Sequence, residues 1–124
     1  MADSKSIMIV DDSRVSRMMV RAIVLERFPD AEILEAESGV AALEVAKSRA
    51  HGIDLMILDF NMPGMDGLAL AIQLKEIFPK AYMSLLTANI QDSIKDRAKE
   101  MGIGFQRKPI TVERILRILD KMAD

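Results

Sequence analysis

Five side chains that could take part in a reaction each stand at the end of an apolar run of the sequence. These residues are Asp11 and Asp12 after one run, Asp59 after another, Thr87 after a third and Lys108 after a fourth. Carboxylates that are brought together repel one another, so such a group favours a divalent cation, and ligands that are all oxygen favour Mg²⁺. A carboxylate can also attack phosphorus and become an aspartyl phosphate, whose other oxygens suit a lysine ammonium and a threonine hydroxyl. If these residues meet, they predict Mg²⁺-dependent phosphoryl transfer to a carboxylate.

The elements that must bring these residues together are short strands that alternate with helices. Apolar runs typical of strands cover residues 7–10, 31–36, 55–58, 82–86 and 103–107, and helical spacing follows each of them. This alternation predicts an α/β fold, with a five-stranded parallel sheet and helices on both faces. Because crossovers are right-handed, we expect the flavodoxin-like (βα)5 strand order 2-1-3-4-5, in which the carboxyl ends of the strands meet at one edge.

Apolar spacing also predicts which side of each helix meets the sheet. Ser38, Asp66 and Thr111 are expected to begin the second, third and fifth helices. The expected core-facing residues are Val15, Met18, Met19, Ala22 and Ile23 in the first helix, Leu70, Leu74, Ile77 and Phe78 in the third, Ile90, Ile94, Ala98 and Met101 in the fourth, and Val112, Ile115, Leu116, Leu119 and Met122 in the fifth. The ten methionines are interpreted as core filling.

Length and composition favour one domain in a reducing compartment. A chain of 124 residues, half of them apolar, suits a single domain with its own core. The absence of cysteine excludes disulfides and thiolate metal sites. The net charge of −2 gives no general attraction for nucleic acid or membrane surfaces, and no apolar run approaches the roughly 20 residues of a membrane span. The amino terminus lacks a signal-peptide pattern, so we expect a cytoplasmic protein.

Four motifs of the chain together resemble a known family. They are Asp11-Asp12, the segment 59–67 that reads Asp-Phe-Asn-Met-Pro-Gly-Met-Asp-Gly, Thr87-Ala88, and Lys108-Pro109. Over residues 6–122 the chain resembles the receiver domain of two-component response regulators, and within that family it is most similar to the stand-alone chemotaxis receivers. The resemblance implies a single receiver domain over residues 1–124 with no output domain. It also implies a switch that catalyses its own phosphorylation and dephosphorylation, and not a conventional enzyme. The sequence leaves the oligomeric state open, and a monomer is the default expectation.

The resemblance implies a role for each acidic residue of the site. Asp59 would be the phosphoacceptor. Asp12 and Asp59 would bind Mg²⁺ through their carboxylates, and Asp11 would act mainly through a coordinated water. Asn61 would contribute its backbone carbonyl to the same cation.

Three further residues would respond to the phosphoryl group. Lys108 would pair with it, Thr87 would move its hydroxyl toward it, and the ring of Phe105 would then turn inward as a switch. Phe105 is equally well explained as an ordinary core residue, and the sequence does not separate the two roles. The resemblance also implies a cis peptide bond between Lys108 and Pro109.

The resemblance implies protein partners as well. A histidine kinase would donate the phosphoryl group. His51, the one histidine of this chain, precedes Gly52 and is interpreted as a loop residue, so the phosphohistidine must belong to another protein. The fourth helix, fifth strand and fifth helix would form the output face for a downstream protein such as a flagellar motor switch protein. The action of a separate phosphatase is left open. Gln106 and Arg107 replace the apolar residues usual in the fifth strand, which leaves the identity of the partner open.

Other functions are weighed against this one. A phosphorelay intermediate or a phosphate sink would use the same chemistry without an output partner. A Mg²⁺-dependent phosphohydrolase with Asp59 as its nucleophile would need a substrate-enclosing cap, for which 124 residues leave no room. A flavodoxin-like nucleotide or flavin carrier would need a glycine-rich phosphate loop after the first strand, where Asp11 and Asp12 stand instead.

Overall fold

Strands and helices alternate along the described chain, as the sequence predicts. The computed structural model describes residues 4–49 and 51–123. The strands are β1 Ser6–Val10, β2 Glu32–Ala36, β3 Leu55–Leu58, β4 Tyr82–Thr87 and β5 Gly104–Arg107. The helices are α1 Arg14–Arg27, α2 Gly39–Lys47, α3 Gly67–Ile77, α4 Asp92–Glu100 and α5 Val112–Ala123. The longest of these described helices, α1, has 14 residues, and none of them has the length and apolar character that crossing a membrane requires.

The sheet has the order β2-β1-β3-β4-β5, and all of its strand pairs are parallel, which confirms the predicted flavodoxin-like fold. Strands β1 and β3 are neighbours near its centre, and Val10 of β1 lies beside Leu58 of β3 in the register. Each of these two residues is the last of its strand. The residues that follow them therefore leave the sheet at the same edge.

The two faces of the sheet carry different kinds of side chain. Helices α2, α3 and α4 cover one face, where Met8, Met56 and Met83 lie side by side in the strand register and are almost fully buried. Helices α1 and α5 cover the other face. The strand residues of that second face include Ile7, Ile9, Leu55 and Ile57. The interpretation of methionine as core filling is thus confirmed for these three residues, whereas Met18 and Met19 are exposed.

Side-chain oxygens cap the N-termini of four of the helices. Ser13, Ser38 and Asp66 each accept a hydrogen bond from the backbone N–H three residues later, at 3.2, 3.1 and 2.8 Å. Thr111 accepts one from the backbone N–H of Arg114 at 3.2 Å. An N-cap of this kind satisfies a donor that the first helical turn leaves without a partner, so it fixes the residue at which the helix starts. The predicted caps at Ser38 and Thr111 are confirmed.

The predicted core-facing side of α1 is wrong for four of its five residues, and only Ile23 packs against the core. Val15 and Met18 are 64% and 58% exposed, whereas Val20 and Val24 are buried against the sheet. Toward the N-terminus, the buried side of α1 continues with Arg17, whose side chain is only 13% exposed. A cation within the buried stripe interrupts its apolar pattern, whereas Val15, Met18 and Met19 form a second apolar group on the exposed side of the helix.

Three other apolar residues predicted to lie in the core are exposed. Val112, Ile90 and Ile77 are 57%, 46% and 37% exposed. Each of them lies at an end of a helix or in the loop before one, where less of the chain is covered by the sheet. Ile118 of α5, which the pattern does not single out, is buried with Ile115 instead.

Two valines of α1 test this assignment of its faces. Val24→Ala is expected to lower the free energy of unfolding by about 2 kcal/mol, because it removes apolar contact from the buried face. Val15→Ala, the same change on the exposed face, is expected to stay within about 0.5 kcal/mol of the wild type. Urea unfolding monitored by circular dichroism measures both values. Equal losses in the two variants would contradict the packing described here.

Candidate functional site

The predicted site residues do converge at the carboxyl edge of the sheet. Asp11 follows β1 directly, and Asp59 follows the neighbouring strand β3. Asp11, Asp12 and Asp59 each offer a carboxylate oxygen, and these three oxygens lie within 4.8 Å of one another. Asp11 and Asp59 are 4% and 7% exposed, whereas Asp12 is exposed. One carboxylate therefore faces solvent, and two are held in the floor of the site.

Lys108 is the cation that keeps the two buried acids together. Its Nζ lies 2.8 Å from Oδ2 of Asp11 and 3.2 Å from Oδ2 of Asp59, and its side chain is 18% exposed. Burial alone would lower the pKa of Lys108, but its hydrogen bond to Asp11 and the charges of Asp59 and Asp11 outweigh that effect. The pKa of Lys108 consequently lies above its ordinary value. The lysine remains a cation throughout the physiological pH range.

Backbone donors hold the second oxygen of each buried carboxylate. Oδ1 of Asp11 accepts a hydrogen bond from the backbone N–H of Ser13 at 2.9 Å. Oδ1 of Asp59 accepts one from the backbone N–H of Asn61 at 3.3 Å. Both oxygens of each acid thus have a partner, so the orientation of the two carboxylates is fixed before any ligand arrives.

This donor set fits a hard divalent cation. Three carboxylates and one ammonium leave a formal charge of −2, since −3 + 1 = −2, which a divalent cation balances. Every candidate ligand atom is an oxygen, and the site is open to water on the side of Asp12. Mg²⁺ is bound in this way in proteins, by one or two carboxylates while it keeps several waters. Asp11, Asp12 and Asp59 can therefore hold Mg²⁺.

Thr87 and the loops beside it complete the rim of the site. Thr87 is fully buried, and its Oγ1 accepts a hydrogen bond from the backbone N–H of Asn89 at 3.2 Å. Nδ2 of Asn89 lies 3.4 Å from Oδ1 of Asn61, so the loops after β3 and β4 touch across the edge of the sheet. The backbone oxygen of Thr87 accepts from the N–H of Lys108 at 3.0 Å, which ties the lysine to the end of β4.

Phe105 lies outside this cluster, in β5. Its ring is half-buried against the core under α4, and Nζ of Lys95 lies 5.7 Å from the ring centroid. A cation over an aromatic face is an attractive contact. The ring therefore meets both the core and a charged side chain of α4. The peptide bond between Lys108 and Pro109 is cis, which confirms that expectation.

Gly67 lets α3 approach the end of β3 more closely than a larger residue would allow. A Cβ atom at this position would clash with the backbone oxygen of Asp59 and would lie 2.9 Å from the Cα atom of Phe60. These are backbone atoms that cannot rotate away. The sequence predicts a turn and a helix start at Asp66-Gly67, and Asp66 does cap α3. The close approach to Asp59 cannot be recognised from the sequence, because it depends on the packing of α3.

Two residues at the site are absent from the sequence prediction. Arg17 of α1 donates a hydrogen bond from Nη1 to the backbone oxygen of Asp11 at 2.6 Å. Its Nε donates to Oε1 of Glu35, the residue before the last of β2, at 2.9 Å. The one available signal was an arginine in line with Val20 and Val24 at helical spacing, and that signal is weak without knowledge of the buried face.

Comparison with known proteins identifies the family of this chain. The family described as the response regulator receiver domain matches residues 7–120. The chain belongs to this family. The receiver is 34% identical to the chemotaxis protein CheY of Bacillus subtilis over 116 residues, which are 93% of this chain and 94% of that protein. It is 36% identical to CheY of Listeria monocytogenes over 119 residues, which are 94% of this chain and 97% of that protein.

Solved structures share the fold of this receiver. The chemotaxis protein CheY4 of Vibrio cholerae has a TM-score of 0.84 at 26% identity, covering 96% of this chain and 98% of that one. A response regulator of Burkholderia pseudomallei, solved with a phosphorylated aspartic acid, a calcium ion and citrate, has a TM-score of 0.79 at 26% identity. That match covers 94% of this chain and 66% of the other. Receiver domains are signalling proteins, not conventional enzymes, and they accept phosphoryl groups from histidine kinases.

Removal of the central cation is expected to destabilise the fold in a pH-dependent way. Lys108→Met leaves two buried carboxylates without their counter-charge, so the free energy of unfolding at pH 7 should fall by about 3 kcal/mol. Because the folded pKa of Lys108 is raised, its stabilisation is complete below the unfolded value of about 10.4 and is lost as the pH rises through the folded value. The difference between wild type and variant should therefore shrink above pH 10.

Urea unfolding of both proteins between pH 7 and pH 11.5 measures this difference. Lys80→Met, at an exposed lysine in the loop after α3, is the matched control and should be nearly neutral at every pH. A difference between the wild type and Lys108→Met that is small at pH 7, or that grows at high pH, would show that the ion pairs do not stabilise the site.

Proposed function

We propose that this protein is a phosphorylation-activated signalling switch, in which Asp59 accepts a phosphoryl group from a histidine kinase. One observation carries the proposal: Asp59 lies at the end of a central strand, beside two further acids and within 3.2 Å of the Lys108 ammonium. The phosphorylated aspartic acid described for the related Burkholderia pseudomallei regulator supports the same chemistry. We propose that the protein is cytoplasmic, where it would meet the histidine kinase that donates the phosphoryl group.

The transfer forms one bond and breaks another at phosphorus. A carboxylate oxygen of Asp59 attacks the phosphorus of the phosphohistidine, the P–O bond forms and the P–N bond breaks. The electron pair of the P–N bond stays on the imidazole nitrogen of the donor, which takes up a proton. Later a water molecule attacks the same phosphorus, and the bond to Asp59 breaks to release inorganic phosphate and the free carboxylate. The fixed orientation of Asp59 favours attack because little motion has to be frozen in the transition state.

The other residues of the site handle the charge of the phosphoryl group. Asp11, Asp12 and Asp59, together with the backbone carbonyl of Asn61, would hold Mg²⁺, which neutralises phosphoryl oxygens when it is bound. Lys108, already held between Asp11 and Asp59, needs only a small shift to pair with a phosphoryl oxygen. The hydroxyl of Thr87, at the end of β4, is an uncharged donor at the same edge of the sheet.

Phosphorylation would then bias two conformations of the output face. If Thr87 turns toward the phosphoryl group, it vacates space at the end of β4, where it lies beside Arg107 of β5, two residues along that strand from Phe105. An inward turn of that ring would break its contact with Lys95 and change the surface of α4. Such a change shifts an existing equilibrium by the difference in interaction energy between the two conformations.

The face formed by α4, β5 and α5 is the proposed binding surface for a downstream protein. Strand β5 is the edge of the sheet, and grooves of about 430 and 520 Å³ run beside it. The cations that line these grooves are Lys95, Lys99, Arg117 and Lys121. The acid that lines them, Asp120, already pairs with Arg27 at 2.8 Å. A partner with acidic side chains, such as a flagellar motor switch protein, would complement this face.

We further propose that residues 1–124 form a single receiver domain that acts as a monomer, and the match over 94% of Bacillus subtilis CheY supports the bounds of this domain. The alternative within the same chemistry is a phosphorelay intermediate or phosphate sink, for which the output face would have no partner. A separate phosphatase would be one further partner of the switch.

Intact mass after incubation with acetyl phosphate and Mg²⁺ tests the phosphoacceptor. The wild type should gain the mass of one phosphoryl group, and the gain should disappear when Mg²⁺ is removed with a chelator. Asp59→Asn should gain nothing, because the amide is not a nucleophile toward phosphorus. Asp96→Asn, at an exposed acid of α4, is the matched control and should be modified like the wild type. Modification of Asp59→Asn to the wild-type level would exclude Asp59 as the acceptor.

A thermal-melting titration tests the cation site separately. Mg²⁺ at ten times its dissociation constant should stabilise the fold by about 1.4 kcal/mol, which corresponds to a rise of roughly 5 °C in melting temperature. Asp12→Ala should remove most of this rise, because it removes a ligand and part of the negative charge that attracts the cation. Asp96→Ala, at an exposed acid outside the site, should keep it. An unchanged wild-type melting temperature across the millimolar range would refute the proposed Mg²⁺ site.

A further inference from the structure

Arg17 is a largely buried cation whose contacts join three elements next to the acidic cluster. Its side chain is 13% exposed, and it lies on the side of α1 that faces the sheet. Nη1 donates to the backbone oxygen of Asp11 at 2.6 Å, and Nε donates to Oε1 of Glu35 at 2.9 Å. Glu35 also accepts from Arg21 at 3.3 Å through its other oxygen. The guanidinium thus bridges the start of α1, the end of β2 and the turn after β1.

The carbonyl that Arg17 reaches belongs to the first residue beyond β1. Asp11 still donates its N–H to the backbone oxygen of Ala36 at 3.1 Å, but its own carbonyl lies past the last register pair of the strand. A buried carbonyl without a donor would cost free energy, and here the donor is a charged one that gives a strong, directional bond. Arg17 therefore supplies a donor to the carbonyl at the point where the chain leaves β1.

We propose that Arg17 is a positioning residue for the cation site: it fixes the Asp11-Asp12 turn so that both carboxylates face Asp59. Glu35 acts with it, because the Glu35 carboxylate holds the guanidinium in the orientation that reaches the carbonyl. The inference rests on the proposed function, since it assumes that the acids bind Mg²⁺. It adds two residues that do not touch the cation and that act through the backbone of a ligand.

A competing effect of the Arg17 charge has the opposite sign. A positive charge near three acids repels a second cation, so its removal alone would strengthen Mg²⁺ binding. The ion pair with Glu35, in which the two opposite charges lie 2.9 Å apart, offsets part of this repulsion, although Glu35 also pairs with Arg21. Positioning and charge therefore make opposite predictions for Arg17→Gln, and the same prediction for Glu35→Gln. Positioning weakens binding in both variants, whereas charge alone strengthens it in Arg17→Gln and weakens it through the unmasked guanidinium in Glu35→Gln.

Calorimetric titration of the full chain with Mg²⁺ alone separates these effects. Arg17→Gln is expected to weaken Mg²⁺ binding about 10-fold, the size of effect usual for residues that orient metal ligands. Glu35→Gln should weaken it in the same direction. Arg17→Lys keeps the charge but cannot donate to the Asp11 carbonyl and to Glu35 in the geometry of a guanidinium, so its Mg²⁺ affinity should resemble that of Arg17→Gln. This second variant also provides the test if Arg17→Gln does not fold. The rate of modification by acetyl phosphate should need more Mg²⁺ for half-saturation and reach an unchanged plateau.

Two controls keep the result specific to the Asp11 contact. Arg21→Gln removes a cation from the same glutamate without touching Asp11, and it should bind Mg²⁺ like the wild type. Val24→Ala destabilises the same helix by packing alone, and it should also bind normally. The inference is overturned if Arg17→Gln binds as tightly as the wild type or tighter, if Arg17→Lys restores full affinity, or if Val24→Ala weakens binding equally.

The wild type and Asp12→Ala separate this inference from the proposed function. If the wild type binds no Mg²⁺, the proposed function fails and the positioning role fails with it. If the wild type binds Mg²⁺, Asp12→Ala does not, and Arg17→Gln is unchanged, then only the positioning role is wrong.

Discussion

The two ion pairs that Lys108 makes with Asp11 and Asp59 are the interaction on which the rest of this structure depends. Asp11 and Asp59 directly follow neighbouring strands, both are almost fully buried, and two such charges cannot remain side by side without a cation. Lys108 follows the edge strand β5, and it reaches past the end of β4 and over β3 to Asp11 at the end of β1. The strand order is therefore part of the chemistry: another order would put the lysine out of reach.

The helices support this arrangement from behind the acids. α1 begins just after the Asp11-Asp12 turn, and the N–H groups at the start of a helix favour negative charge nearby. α3 packs so closely against the end of β3 that only glycine fits at position 67. The carboxylate of Asp59 is thus placed by a rigid strand, a tightly packed helix start and a lysine from a third element. Rigid placement of this kind is what makes a short acidic side chain useful for catalysis.

The sequence reveals the parts of this site that depend on local patterns. Asp59 could be recognised because a wholly apolar strand stops at an acid, and Lys108 because a charge ends a strand just before Pro109. The faces of α1 could not be predicted in the same way, since Arg17 interrupts the buried stripe and exposed methionines imitate one. The pairing of Arg17 with Glu35 depends on how α1 lies against β2, which periodicity does not describe.

The row of methionines across the centre of the sheet gives its two sides unequal mechanical compliance. Met8, Met56 and Met83 have unbranched, polarisable side chains that adapt their rotamers to a moving neighbour. The opposite side is formed largely by β-branched isoleucines, which are stiff at χ1. Displacements that begin at the acidic edge would therefore spread more easily under α3 and α4 than under α1 and α5. One layer of the fold can deform with the signal while the other keeps the acids in register.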